Sequence, residues 1–147
     1  MTTFDFGNGP VPAHRHPNGG GWVADTATVS ESAYVGPNAW VYDNAWVYGD
    51  AVVSGNARVY DNAEVSGLAV VTGDAVVTGY ARVYGDAGVS GNAWVSGNAE
   101  VTCDARVYGN ARVYDNAEVT CDARVYGNAE VSGLAVVSGY AVVTGNE

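Results

Sequence analysis

The sequence predicts an all-β protein, a parallel β-solenoid built from six-residue repeats. Valine recurs every six residues from Val23 to Val143, which gives 21 consecutive occurrences. Alanine lies two positions before valine from Ala27 to Ala141, 20 times in succession. A period of six does not fit the 3.6 residues of a helical turn, so the repeat excludes an amphipathic helix. Because the repeat runs through nearly the whole chain, it decides the fold class.

Each repeat, A-x-V-x-G-N in outline, predicts one short strand followed by one corner. Alternate side chains of a strand share a face, so alanine and valine point inward together and the neighbours of valine point outward. The last two positions hold Gly-Asn, Gly-Asp or Asp-Asn, and glycine and asparagine tolerate the positive φ of a tight turn. So short a strand cannot bury its valine alone, and the repeats must therefore stack on one another.

In this pattern an aliphatic residue is followed four positions later by a small one, as in the hexad VYDNAW at 41–46. The chain thereby resembles the hexapeptide-repeat proteins of the acyltransferase-like superfamily over residues 21–146. The resemblance implies a triangular, single-stranded left-handed parallel β-helix of about seven coils, with three hexads or 18 residues in each. The left-handed sense rests on the resemblance alone, since general topology rules favour right-handed crossovers. The segment AEVTCDARVYGN, present at 99–110 and 117–128, independently supports the 18-residue spacing.

We expect residues 1–20 to form an N-terminal extension that caps the first coil, and residues 21–147 to form the β-helix. A solenoid end exposes unpaired strand edges, which natural proteins cover. Phe4 and Phe6 are expected to plug the first valine layer. The final stretch AVVTGNE offers no comparable cap, so Val137, Ala141 and Val143 are expected to face an open end. An open end favours assembly over catalysis.

Composition and charge exclude several classes of partner. The net charge is −10 and all six cationic side chains are arginine, which excludes a nucleic-acid partner because such proteins need a basic surface. No apolar run reaches the roughly 18 residues of a membrane span, so no membrane partner is expected. The N-terminus lacks the basic and apolar regions of a secretory signal. Two cysteines do not make a disulfide framework, and a cytoplasmic or virion-associated protein is expected.

With 18 residues in a coil, outward residues 18 apart stack in columns on three faces. The first face carries Trp22, Trp40, Arg58, Val76, Trp94, Arg112 and Glu130. The second face carries Thr28, Trp46, Glu64, Arg82, Glu100, Glu118 and Val136. The third face carries Tyr34, Val52, Val70, Gly88, Arg106, Arg124 and Val142.

Charges alternate in sign along part of the second face, which suits neighbouring strands. Each repeat-region arginine has a tyrosine two positions later, on whose ring its guanidinium is expected to lie.

The preferred function is a non-enzymatic structural or interaction scaffold. Small uncharged residues make the third face flat, and flat apolar patches mark interaction sites. The candidate interface residues are Val52, Val70, Thr72, Val137 and Val143. We expect a homo-oligomer, either a trimer as the resemblance implies or an end-to-end assembly, or else a protein partner at the C-terminal end.

Two other functions stay open. One is a trimeric hexapeptide-fold enzyme, an acyltransferase or a γ-carbonic-anhydrase-like protein, with an inter-subunit site. Its relatives use a catalytic histidine near an extruded loop or three histidine ligands, whereas this chain has only His14 and His16, before the first coil. We therefore assign no catalytic, cofactor-binding or metal-binding residue and expect no cofactor. The other is a carbohydrate- or ice-binding module, whose candidate ligand-facing aromatics are Trp22, Trp40, Trp46 and Trp94.

Two corner columns leave further questions open. Asp86, Asp104 and Asp122 stack on successive coils, where a cation such as calcium or simply water and salt could relieve their repulsion. Cys103 and Cys121 are also 18 residues apart, and a coil spacing of about 4.8 Å falls within disulfide range. The sequence does not decide whether they are bonded.

Overall fold

A computed structural model describes residues 2–145 and shows a triangular parallel β-solenoid of about seven turns. The described residues form strands and turns without a helix. The predicted all-β class, the three faces and the 18-residue spacing are confirmed. Within 2–145 no helix is long and apolar enough to cross a membrane.

The strands fall into three sheets, one for each face. The first sheet has nine strands: β1 (Thr3–Asp5), β2 (Pro10–Arg15), β3 (Trp22–Ala24), β6 (Trp40–Val41), β9 (Arg58–Val59), β12 (Val76–Val77), β15 (Trp94–Val95), β18 (Arg112–Val113) and β21 (Glu130–Val131). The second has seven: β4 (Thr28–Val29), β7 (Trp46–Val47), β10 (Glu64–Val65), β13 (Arg82–Val83), β16 (Glu100–Val101), β19 (Glu118–Val119) and β22 (Val136–Val137). The third also has seven: β5 (Tyr34–Val35), β8 (Val52–Val53), β11 (Val70–Val71), β14 (Gly88–Val89), β17 (Arg106–Val107), β20 (Arg124–Gly127) and β23 (Val142–Gly145).

Every parallel strand pair joins residues that are 18 apart in the chain. Trp22 lies opposite Trp40 on the first face, Glu64 opposite Arg82 on the second, and Val70 opposite Gly88 on the third. The predicted outward columns are therefore present in the predicted order. The chemistry of each outer face therefore depends on which residue occupies each position of its column.

The interior consists of the alanines and valines of the repeat. All core valines from Val35 to Val125 and all core alanines from Ala33 to Ala123 are fully buried. Burying a valine contributes about 1.5–3 kcal/mol relative to leaving it exposed. Because the layers repeat without a polar interruption, the core itself offers no binding site.

The fifth position of most hexads lies at a corner with positive φ. It is usually glycine, and a Cβ built on Gly85 would meet the backbone nitrogen of Cys103 in the next coil at 2.9 Å. Non-glycine residues hold the same conformation at Asp43, Asp61, Cys103, Asp115 and Cys121, with φ between 58° and 62°. Asp115 turns its side chain along the solenoid axis and accepts a hydrogen bond from the Gly133 backbone N–H at 3.1 Å.

The N-terminal hairpin extends the edge of the first sheet and does not place its phenylalanines over the valine layer. Strand β1 pairs antiparallel with β2, and β2 pairs antiparallel with β3. Phe4 and Phe6 therefore fall on the outer surface, where Phe4 stacks on Trp22 and Phe6 stacks on Tyr42. The prediction that both phenylalanines plug the first valine layer is wrong. The physical reason is that β2 pairs with the edge of the first sheet. Phe4 in β1, its hairpin partner, and Phe6 just after β1 therefore pack on the outer surface of that sheet.

Residues 16–21 cover part of the first coil. The Val35 backbone N–H donates to Asn18 O and the Gly21 N–H donates to Val35 O, each at 3.0 Å. The buried His16 places Nε2 2.9 Å from the Ala33 carbonyl oxygen. The edges of β3 and β5 are thus occupied, whereas Val29 in β4 remains partly exposed.

Candidate functional site

The third face contains a shallow groove of about 510 Å³ beside Gly88. Its lining includes Val70, Thr72, Ser90 and Tyr108, together with the arginines of the same column. A Cβ built on Gly88 would find only the Val70 carbonyl oxygen, at 4.0 Å, so the glycine leaves an open space. Three of the predicted interface residues, Val52, Val70 and Thr72, lie on this face, which the groove interrupts.

Arg106 and Arg124 follow Gly88 in the column of the third face and lie directly opposite one another on adjacent strands. Neither forms an ion pair within the described residues. Their positions on the third face were predicted, but the middle coils of that face were expected to be small and uncharged, and no binding role was predicted for the two arginines. The duplicated segment could have identified this arginine pair, because its two copies are 18 residues apart and therefore place one arginine over the other.

The last described coil carries the other two predicted interface residues, Val137 and Val143. Val137 is almost fully buried, and Val143 packs on the core while partly exposed. Around them Leu134, Val136 and Tyr140 expose 82%, 60% and 85% of their surface. Each sheet of the described chain ends here, on β21, β22 or β23.

The four tryptophans have different surroundings. Trp22 is covered by Phe4 and by the Arg15 guanidinium 4.6 Å from its ring centroid. The Arg58 guanidinium lies 4.4 Å from the Trp40 centroid, and Phe4 packs edge-on against the same ring. Trp46 and Trp94 are exposed on different faces. The structure therefore brings only Trp22 and Trp40 together, and it covers both.

Arg58 does not lie on the ring of Tyr60, two positions later, because neighbouring coils supply closer partners for both side chains. Arg58 lies over Trp40, and Tyr60 stacks on Tyr42 with centroids 4.8 Å apart. Burial, followed by the charge of Tyr60, raises the pKa of Tyr42 to about 12. Tyr108 and Tyr126 stack in the same way at 5.0 Å. For Arg58 the prediction is wrong because residues 18 apart face each other in adjacent coils, and the ring of Trp40 lies closer to the guanidinium than that of Tyr60.

Charges on the second face pair weakly. Arg82 Nε lies 4.0 Å from Glu64 Oε1, and both side chains are substantially exposed. Exposed pairs of this kind contribute about 0–1 kcal/mol. The Glu100 carboxylate is 3.5 Å from the Tyr84 hydroxyl, and burial followed by the charge of Glu100 raises the pKa of that tyrosine.

The two histidines point to different partners. His14 is exposed and its Nδ1 lies 2.7 Å from Asp25 Oδ1, whereas His16 is buried against Ala33. Among residues 2–145, no group of three or more His, Cys, Asp or Glu side chains has an arrangement that could hold a metal ion. Asp86, Asp104 and Asp122 are exposed at their corners.

The two cysteines are exposed free thiols. The Thr120 hydroxyl donates to Cys103 Sγ at 3.5 Å, and the Thr102 hydroxyl lies at 3.9 Å. The Thr120 hydrogen bond, the Cys121 backbone N–H and the Thr102 hydroxyl together lower the pKa of the Cys103 thiol. Thr120 is a residue that the sequence reasoning did not identify, since only stacking of coils places it beside this sulfur.

Three segments of the chain, residues 39–55, 81–97 and 105–119, match the model of the YdcK β-solenoid repeat family. They cover less than half of the chain, so the match shows similarity to a β-solenoid repeat. Comparisons with curated proteins and with solved structures give no match. The matched segments lie in the regular coils, in agreement with the observed fold.

Proposed function

We propose that this protein is a non-enzymatic scaffold, a left-handed β-solenoid of the hexapeptide-repeat type that associates with a second copy of itself through its last described coil. The observation that carries the proposal is that within residues 2–145 the first and second sheets end on β21 and β22, each of which is paired with a neighbouring strand on one side only. Such edges present free backbone donors and acceptors to another chain. The exposed Leu134, Val136 and Tyr140 add apolar surface around them.

The two ends of the solenoid differ, which favours a symmetric contact. At the N-terminal end β2 occupies the edge of β3, and Asn18 and Gly21 bond to the Val35 backbone in β5. A second copy stacking head to tail would meet these segments instead of free edges. Pairing of the last coil with its own copy about a twofold axis avoids this obstruction and gives an isologous interface.

Side-by-side association through the third face, as in a trimer, is the competing arrangement. It would use Val52, Val70 and Thr72, but the open space at Gly88 and the adjacent arginines interrupt that face. End-on association is therefore preferred.

Sedimentation of the full chain separates the two arrangements. Val136→Lys and Val143→Lys place charge at the last coil and are expected to convert a dimer to a monomer. Val70→Arg places charge on the third face and is expected to leave the dimer intact. Circular dichroism checks that each variant keeps its β-structure. A dimer lost only in Val70→Arg would transfer the interface to the third face, and a wild type that stays monomeric at high concentration would overturn self-association.

A further inference from the structure

Arg106 and Arg124 form a pair of like charges without an ion pair in the described part of the chain. They lie directly opposite one another in β17 and β20, an arrangement that destabilises a sheet. The chain has 16 acidic side chains, yet none in the described range forms an ion pair or side-chain hydrogen bond with either arginine. An anion placed between the two guanidinium groups would relieve this repulsion.

Three of the other four arginines, all but Arg112, do have partners among the described residues. Arg15 lies over Trp22, Arg58 lies over Trp40, and Arg82 lies near Glu64. Duplication of the segment 99–110 explains how Arg106 came to lie over Arg124. It does not explain the open space beside them, because Gly88 lies outside the duplicated segment. The charge pair and the groove are therefore separate observations that meet at one place.

The groove supplies the remaining features of a small-molecule site. Val70 forms an apolar wall, Thr72 and Ser90 offer hydroxyl groups, and Tyr108 closes the side next to Arg106. Sites for small ligands are concave and largely apolar, with a few polar groups that fix orientation. A guanidinium is suited to bind carboxylate, phosphate or sulfate through two parallel hydrogen bonds.

We propose that this groove binds a small organic anion. The carboxylate, phosphate or sulfate group of the ligand lies between Arg106 and Arg124, and its apolar body rests against Val70 in the space that Gly88 leaves. The proposal does not rest on the end-on association, since the groove lies on the third face, although its Arg124 directly precedes Val142 of the last coil in the same column.

Calorimetric titration of the full chain at low salt, with inorganic phosphate and phenyl phosphate as probes, tests both halves of the proposal. Phenyl phosphate is expected to bind about tenfold more tightly than phosphate, because its ring buries apolar surface. Arg106→Gln and Arg124→Gln are each expected to weaken both probes about tenfold, because a charge-assisted hydrogen bond is lost. Gly88→Val fills the open space and is expected to weaken phenyl phosphate only.

Arg112→Gln is the matched control, since Arg112 is also an exposed strand arginine but lies on the first face. It is expected to leave both affinities unchanged. Equal weakening by Arg112→Gln would mean non-specific attraction and would overturn the site. Equal affinity for the two probes, or a Gly88→Val variant that binds phenyl phosphate normally, would overturn the apolar half. Absence of binding in a folded wild type would overturn the whole proposal.

Discussion

Phe4 stacks on Trp22 with ring centroids 4.6 Å apart, and this contact holds the N-terminal hairpin against the outside of the first sheet. Phe6 continues the same aromatic cluster through its stacking on Tyr42 at 4.7 Å. Stacked aromatic pairs contribute about 0.5–1.5 kcal/mol beyond the area that they bury. The hairpin is thus attached through side chains as well as through the pairing of β2 with β3.

Phe6→Ala is expected to loosen the hairpin while the coils remain folded. Phe6 is buried, and truncating a buried phenylalanine costs about 3–5 kcal/mol. Hydrogen exchange should accelerate at the amides of β1 and β2 and stay unchanged in central strands such as β11. Val11→Ala is the control, because Val11 lies in the same hairpin but is exposed. Equal acceleration in both variants would show that the aromatic cluster does not hold the hairpin.

Val89→Asp is expected to unfold the solenoid. Val89 is fully buried among alanine and valine, where an unpaired carboxylate has no partner, and the loss should exceed about 4 kcal/mol. Val70→Asp is the matched control on the adjacent strand, with an outward, exposed side chain. Thermal denaturation by circular dichroism should show a large loss for the first variant and a small one for the second. Similar melting of Val89→Asp and wild type would contradict the inward orientation of this column.

Cys103 is expected to react with iodoacetamide faster than Cys121 near neutral pH. The thiolate is the reactive form, and hydrogen bonds led by that from Thr120 lower the pKa of Cys103. Peptide mass spectrometry of partially alkylated protein gives the two rates. Thr120→Val should slow alkylation of Cys103 specifically, since valine retains the shape and removes the donor. If this variant slowed both cysteines equally, the hydrogen bond would not be the cause.

Asp43→Asn is expected to raise stability at neutral pH. Burial is the main cause that raises the pKa of Asp43 above its usual 3.8; the hydrogen bond from the Asp61 backbone N–H opposes this rise, and the side chain and charge of Asp61 add to it. With a raised folded-state pKa, the stability contributed by this group is present below the unfolded-state pKa and is lost as pH rises through the folded-state value. The advantage of asparagine should therefore shrink below about pH 4.

Asp115→Asn controls for backbone conformation in that comparison. Asp115 has the same φ of 58° as Asp43 and likewise accepts a backbone N–H from the next coil. Urea denaturation of both variants between pH 3 and pH 7 provides the measurement. A pH-independent gain at Asp43 would assign the effect to the preference of asparagine for positive φ.

The repeat columns were predictable because a period of six leaves one choice of inward residues. Val23 and Val41 pair as the 18-residue spacing requires, and so do Glu64 and Arg82. The contact of Arg58 was not predictable, since Trp40 and Val76 flank it at the same 18-residue spacing and Tyr60 lies two positions away on the same strand face. The groove at Gly88 was also not predicted, because the shape of the space beside a glycine depends on the side chains of the neighbouring coils.

The sequence by itself determined the stacked repeats and the alanine and valine core, and the resemblance to hexapeptide-repeat proteins, supported by the duplicated segment, implied the 18-residue coil and the order of residues on each face. Strict repetition makes this possible, because every hexad buries the same two side chains against copies of itself. The tertiary structure alone decided the placement of the aperiodic hairpin with Phe4 and Phe6. It also decided which side chains of adjacent coils touch, such as Thr120 and Cys103. These contacts depend on the direction of side chains across a coil step, and spacing along the chain carries no information about that direction.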